Sequence, residues 1–358
     1  MLMVVGVPLD GSTLRIDESC PTLIRYNRTV MQCFPNGVKM RIGLVVTPFN
    51  EHNLRLAGQI GVTDIVSRCP KAMSFESLLG IKKQVNTHHM NLSVIEGKLP
   101  LNRIICGEED RDEDIEKIIE LIRHMGKLDI EVLCYNFMPE QSFVIRTNQF
   151  YTIKGGARSS QFKYDALDPE QTSSQVSMTD DQMWDNLAYF LSCIAPVADE
   201  CGVNLAMHPD DPPISPLMGM SRIMRDVPNF DKLLTLNESK SNGIAFCQGC
   251  FTEMGIDVEA TVNHFNNKIH YIHFRDVMGD PHDFHEVLHG DGQTNLVRMM
   301  ELYKQIGFNG ILRPDHVPLL EGEVNALSET GSAGYSMQAR IYAVGYMRAL
   351  IDSVDYFS

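Results

Sequence analysis

From Met40 onward the chain alternates short apolar runs with helical stretches, eight times over. The runs fall at residues 41–47, 63–67, 91–96, 130–135, 203–208, 243–247, 269–275 and 310–316. Helix signals fill the gaps. Residues 51–60 stop at Gly61, and Ser74 caps a helix running to about residue 89. Residues 112–125 carry Ile115, Ile118, Ile119, Ile122 and Met125 on one stripe, with Gly126 after it. Thr179-Asp-Asp-Gln182 is a capping box opening a helix that Gly202 ends. Shorter helices are predicted at residues 221–227, 258–266 and 295–306, and a last one at 334–351. Such alternation argues parallel strands with helical crossovers. Eight units predict an α/β chain folded as a single-domain (β/α)₈ TIM barrel. An open doubly wound sheet is the competing fold. Its nucleotide-binding form lacks support, because no G-x-G-x-x-G follows the first run and no G-x-x-x-x-G-K-[ST] occurs.

Two segments break the pattern. Residues 1–39 read as an N-terminal extension ahead of a catalytic domain at 40–358. Residues 136–177 form a long loop after the fourth strand, with Arg146, Arg158 and little periodicity. A loop this long inside a compact domain is usually functional or disordered. It is expected over the barrel mouth, offering an arginine to a substrate.

In such barrels the reactive groups stand at the C-terminal ends of strands. Runs five to eight end in His208, Cys247, His273 and Asp315. Side chains alternate along a strand. The apolar Leu205/Met207, Ile244/Phe246, Ile272/Phe274 and Leu312 fall on the opposite parity to those four ends. Pro314 removes a backbone donor, so strand pairing should fade there. A single buried His or Cys is more often ordinary core. Four such groups at one architectural position describe a metal site at a barrel mouth. Two imidazoles, a thiolate and a carboxylate suit Zn²⁺, Mn²⁺, Fe²⁺ or Co²⁺. Cys250 makes a C-x-x-C with Cys247, but no second C-x-x-C exists for a four-cysteine knuckle; strand parity favours Cys247 as the ligand. Arg275 shares the parity of His273 and suits a substrate carboxylate. His285 and His289, on the following loop, are placed to line the mouth.

The net charge of −15 argues against nucleic acid as a partner. No apolar run approaches the roughly 18 residues of a membrane span, and the first residues do not read as a signal peptide. Nine scattered cysteines suit free thiols in a reducing cytoplasm.

His208-Pro-Asp-Asp-Pro-Pro213, Phe246-Cys-Gln-Gly, His273-Phe-Arg-Asp-Val277 and Arg313-Pro-Asp-His316 form a joint pattern. With Tyr135-Asn-Phe-Met-Pro139, Arg146-Thr147, Gly334-Tyr335 and Ile341-Tyr-Ala-Val-Gly-Tyr-Met, it resembles the mannonate dehydratase family. The resemblance runs from about Met40 onward. It implies a xylose-isomerase-like barrel and a hydro-lyase of hexuronate breakdown that turns D-mannonate into 2-keto-3-deoxy-D-gluconate. It implies one divalent metal, Mn²⁺ first and Fe²⁺ or Co²⁺ as alternatives, on His208, Cys247, His273 and Asp315. His316 and Tyr335 become the acid–base pair, and Arg275, Arg146 and Asp210 the groups around a small anionic sugar acid. Asp210 or Asp211 is further expected to orient a ligand imidazole. A homo-oligomer is expected. The chain departs from the family pattern at Val317-Pro318, at Gln248-Gly249-Cys250 and at Asn148, so a sister sugar acid is an open substrate. A sugar isomerase or epimerase on the same barrel and a non-catalytic barrel are the rival readings.

Overall fold

The computed structural model describes residues 40–140, 143–168, 177–323 and 334–357. The expected extension at 1–39 lies outside them. The first half runs β1 (Arg41–Val45), α1 (Glu51–Gln59), β2 (Asp64–Ser67), α2 (Phe75–Asn86), β3 (Asn91–Glu96), α3 (Asn102–Cys106), α4 (Arg111–Lys127) and β4 (Val132–Tyr135). A hairpin, β5 (Asn148–Thr152) and β6 (Arg158–Lys163), leads to α5 (Asp180–Cys201) and β7 (Asn204–Met207). Then come α6 (Val227–Leu236), β8 (Asn242–Cys247), α7 (Gln248–Glu253), α8 (Val258–Phe265) and β9 (Ile269–His273). A second hairpin, β10 (Val277–Asp280) and β11 (Asp283–Glu286), precedes α9 (Leu296–Gln305), β12 (Ile311–Arg313) and α10 (Met337–Tyr356).

Strands β1, β2, β3, β4, β7, β8, β9 and β12 pair in that order, all parallel, and β12 pairs back onto β1. The TIM barrel is therefore closed. The alternation of side chains divides the core in two. Val45, Val66, Val94, Val132, Ala206, Ala245, Tyr271 and Ile311 pack inside the ring. Leu205, Met207, Ile244, Phe246, Ile272, Phe274 and Leu312 face the helices. Parity thus sends His208, Cys247 and His273 to the lumen side, as the sequence predicts.

Local signals explain the helix ends. The Thr179 side chain accepts from the Gln182 N–H, and the Gln182 side chain returns the bond, so α5 opens on a full capping box. Gly202 closes it at φ +66°, a left-handed conformation that costs other residues more. Between these caps Met183, Leu187, Phe190, Leu191 and Ile194 are buried, each worth about 1.5–3 kcal/mol in transfer terms. One prediction is displaced. The helix expected at residues 221–227 begins at Val227, because Asp226 accepts from the Asn229 N–H and Pro228 sits in the first turn.

The long loop after β4 holds more structure than its sequence suggests. Strands β5 and β6 join β11 and β10 in an antiparallel sheet, in the order β10-β11-β6-β5. Phe162, Val277 and Phe284 make its small core. Arg158 and Leu319 exchange two backbone hydrogen bonds of 2.9 and 2.6 Å, tying the sheet to the segment beyond β12. Residues 141–142 and 169–176 of the loop lie outside the described residues.

Candidate metal centre and active site

His208, Cys247, His273 and Asp315 come together, each offering a ligand atom, all within 4.8 Å of one another. The imidazole hydrogen bonds decide which atoms are offered. His208 Nδ1 lies 2.7 Å from the Pro209 carbonyl, so that nitrogen donates and Nε2 keeps its lone pair. His273 Nε2 lies 3.3 Å from Glu96 Oε2, which leaves Nδ1 with the lone pair. These two free nitrogens face each other at 3.1 Å. Asp315 divides its oxygens in the same way. Oδ1 accepts from Arg313 Nη1 and from the Tyr335 hydroxyl, both at 2.8 Å. Oδ2 is turned to His273 Nδ1 at 3.4 Å and Cys247 Sγ at 3.9 Å.

Electrostatics favour the charged forms. Burial opposes ionisation of Cys247. The Cys250 thiol that hydrogen-bonds to it, Arg275 and His208 nevertheless hold it well below the usual thiol range. Burial likewise opposes the Asp315 carboxylate, and Arg313 and His316 hold it well below its ordinary value. A thiolate, a carboxylate oxygen and two converging imidazole lone pairs in a buried pocket repel one another unless a cation lies between them. The donor set fits one divalent ion, and the outer bonds to Pro209, Glu96, Arg313 and Tyr335 orient it.

His316 and Tyr335 stand beside this centre. The strand ends at Arg313, so the chain leaves β geometry before Pro314 and His316 is free to turn inward. Its ring is 17% exposed, 3.8 Å from Asp315 Oδ1 through Nε2 and 3.1 Å from Glu286 Oε1 through Nδ1. Tyr335 precedes α10, with its ring centroid 5.5 Å from that of His316. Gly334 makes this possible. It has φ +91°, and a Cβ there would sit 3.2 Å from His316 Cβ. Burial and the neighbouring Asp315 raise the Tyr335 phenol above its ordinary value.

The arginines are placed differently from expectation. Arg275 is fully buried and engaged by protein groups: Glu286, Glu253 at 2.7 Å, Asp211 at 3.3 Å, Cys250 Sγ at 3.2 Å and Cys247 Sγ at 3.4 Å. Arg146 reaches in from the loop, as expected, but grips Asp211 at 2.6 and 2.8 Å and Glu286 at 3.0 Å. Burial pushes Glu253 well above its ordinary value, which keeps it protonated. Two guanidiniums then meet the two carboxylates Asp211 and Glu286, and Arg275 also faces the Cys247 sulfur and Asp315 Oδ2 at 3.4 and 3.6 Å. Arg158 is exposed on β6. Asp210 is turned away: it accepts from Arg222 Nε at 3.0 Å and the Met224 N–H at 2.7 Å, bracing its own loop. Its neighbour Asp211 is the one that enters the cluster with Glu286 and His316. His289 is buried, bonded through Nε2 to the Phe274 carbonyl at 2.6 Å. His285 stacks beside Tyr151 on the mouth sheet, ring centroids 4.8 Å apart.

Sequence reasoning missed Glu96, Glu286 and Arg68. Glu96 ends β3 and follows the same rule that found the four converging donors, so its signal was present. Arg68 directly follows β2. Glu286 arrives on a hairpin with no period to mark it.

The matched family is the one described as D-mannonate dehydratase (UxuA), over residues 48–180 and 171–358. The mannonate dehydratase of Oceanobacillus iheyensis is 31% identical over 310 residues, which span 78% of this chain and 86% of that protein. Mannonate dehydratase 2 of Halalkalibacterium halodurans is 30% identical over 309 residues, 78% of this chain and 87% of that protein. The crystal structure of mannonate dehydratase from Streptococcus suis serotype 2 superposes with a TM-score of 0.80 at 28% identity, covering 89% of this chain and 94% of that one. A D-tagatose 3-epimerase-like protein, TM-score 0.60 at 15% identity over 88% of this chain and 99% of that one, shares the barrel fold alone. The match over most of the described barrel, with the four converging donors inside it, has one reading: the chain belongs to the mannonate dehydratase family.

Proposed function

We propose that this protein dehydrates D-mannonate to 2-keto-3-deoxy-D-gluconate, with one divalent ion on His208, Cys247, His273 and Asp315. The observation that carries it is the pairing of that donor set with His316 and Tyr335 in a barrel of this family. When bound, the ion supplies Lewis-acid stabilisation of negative charge on the sugar acid. The donor types admit Mn²⁺, Fe²⁺, Co²⁺ and Zn²⁺ alike; Mn²⁺ is placed first, with Fe²⁺ or Co²⁺ as alternatives, on the resemblance to the family.

The chain's own groups divide the proton work. His316 gives Nδ1–H to Glu286, so Nε2 carries the lone pair and acts as the base that takes the C2 proton. Tyr335 keeps its proton on the hydroxyl and delivers it to the C3 oxygen, which departs as water. The enol left at C2 returns to the ketone. Asp315 positions both groups: its Oδ1 accepts from Tyr335 and lies beside His316 Nε2. Arg275 and Arg146 act through Asp211 and Glu286, which they hold in place, and Asp210 braces the loop behind. The seven described cysteines are free thiols, which suits a reducing compartment such as the cytoplasm. Among the described residues no helix is long and apolar enough to cross a membrane.

The test is incubation with D-mannonate and each of Mn²⁺, Fe²⁺, Co²⁺ and Zn²⁺, assayed for a 2-keto-3-deoxy acid. Formation of that product, fastest with Mn²⁺, is expected. An isomer or epimer without loss of water would overturn the reading.

A further inference from the structure

Among the described residues, Arg146, Arg275, Arg313, Arg340 and Arg68 approach the metal end of the barrel, and the first four are closed off. Arg146 and Arg275 meet Asp211 and Glu286. Arg313 is buried between Asp315 and Glu96. Arg340 is buried against backbone carbonyls of Val45, Tyr335 and Ser336. Arg68, at the end of β2, is the exception. Its side chain keeps 35% of its surface exposed, while those of Arg146, Arg275 and Arg313 keep 4% or less.

Arg68 nevertheless stands beside the centre. Nη1 donates to Glu96 Oε1 at 3.2 Å, and Glu96 is the partner of the ligand His273. The guanidinium lies 5.0 Å from the Tyr335 ring centroid, and Tyr335 bonds the ligand Asp315. Gly97 leaves room for it, since a Cβ there would lie 3.1 Å from Nη1. Three guanidiniums crowd this wall. The guanidiniums of Arg68, Arg313 and Arg340 lie 5.0, 6.0 and 5.5 Å from one aromatic ring. The carboxylates bonded to this group are Glu96 and Asp315, and Asp315 turns Oδ2 to the metal pocket. Glu96 is already shared by Arg313, Tyr271 and His273. A partly exposed guanidinium beside two buried ones, next to a metal pocket, is a site for an anion.

We infer that Arg68 binds the carboxylate of the sugar acid, a substrate contact in place of those expected from Arg275 and Arg146. The inference rests on the proposed activity for the substrate's identity. The fold does not depend on Arg68, because Glu96 retains Arg313 when Arg68 is removed.

The experiment compares metal-loaded parent, Arg68→Lys and Arg68→Met. It measures metal per chain, thermal midpoint, KM and kcat for D-mannonate, and calorimetric Kd for a panel of six-carbon aldonates. Arg68→Met should raise KM and Kd roughly 10- to 100-fold, the effect of losing a charge-assisted pair, with metal content and midpoint kept. Arg68→Lys should fall between. KM and Kd within twofold of the parent in the folded, loaded variants would overturn the inference, and so would weakening that merely follows metal loss. If the parent binds aldonates through Arg68 yet turns over none, the proposed activity fails and the anion site stands. If the parent turns over mannonate and Arg68→Met keeps its KM, the anion site alone fails. A parent that binds no aldonate overturns both.

Discussion

Cys247 and Cys250 touch the same guanidinium but do different work. Cys247 ends β8 on the lumen parity and faces Asp315; Cys250 lies in α7 against Arg275 and near Glu253. Burial, then the hydrogen bond to Cys247, push the Cys250 thiol well above its ordinary value, so it stays protonated. Cys247→Ala should therefore lose most of the bound metal by elemental analysis while Cys250→Ala retains it; the reverse result would reassign the ligand. His316→Asn and Tyr335→Phe should each keep metal and fold yet lower kcat by a factor on the order of 10², the usual share of a general acid or base. Exchange of the C2 proton in D₂O tells them apart where that step is reversible: it should vanish in His316→Asn and persist in Tyr335→Phe.

At the scale of elements, buried ion pairs tie the mouth sheet to the barrel. Arg146 crosses from the segment before β5 to Asp211 and to Glu286 on β11. Arg146→Met leaves those buried carboxylates short of a cation, which costs about 3 kcal/mol. The urea midpoint should fall accordingly; an unchanged midpoint with a raised KM would restore Arg146 as a substrate group. The barrel strands and the four converging donors were legible because one parity rule governs both. Burial on one face writes period two into the sequence, and a polar residue at the strand end then stands out. The same rule failed for β5, whose residues are nearly all exposed, so nothing selects alternation there. For Arg275 it reached only part of the way. Parity gave its direction correctly, but the acids that meet it come from α7, β11 and the loop after β7, a convergence that local sequence does not encode.

For the molecule as a whole, two buried groups oppose each other in acid. Burial lowers His289 from 6.5 to about 4, so as pH falls through this window the unfolded chain takes a proton the fold refuses, and stability drops. Burial raises Asp276 from 3.8 to about 6, so there the fold holds a proton the unfolded chain has released, and stability drops as pH rises. Asp276→Asn removes the second slope. The stability of the parent relative to this variant should decline between about pH 4 and 6, read from urea midpoints; a constant difference would refute the assignment. The ring itself has a consequence for timing. β12 carries the strand end bearing Asp315, and β12 reaches its place by pairing with β1 on one side and β9 on the other. The strands that bear the four donors, β7, β8, β9 and β12, are consecutive neighbours on one arc of the ring, and β12 is the last of them in the chain, so the set is complete only once β12 has docked on β9. In refolding, capture of the ion should lag the appearance of strand and helix signals, so the metal acts as a clock for the docking of the last strand and not as a nucleus.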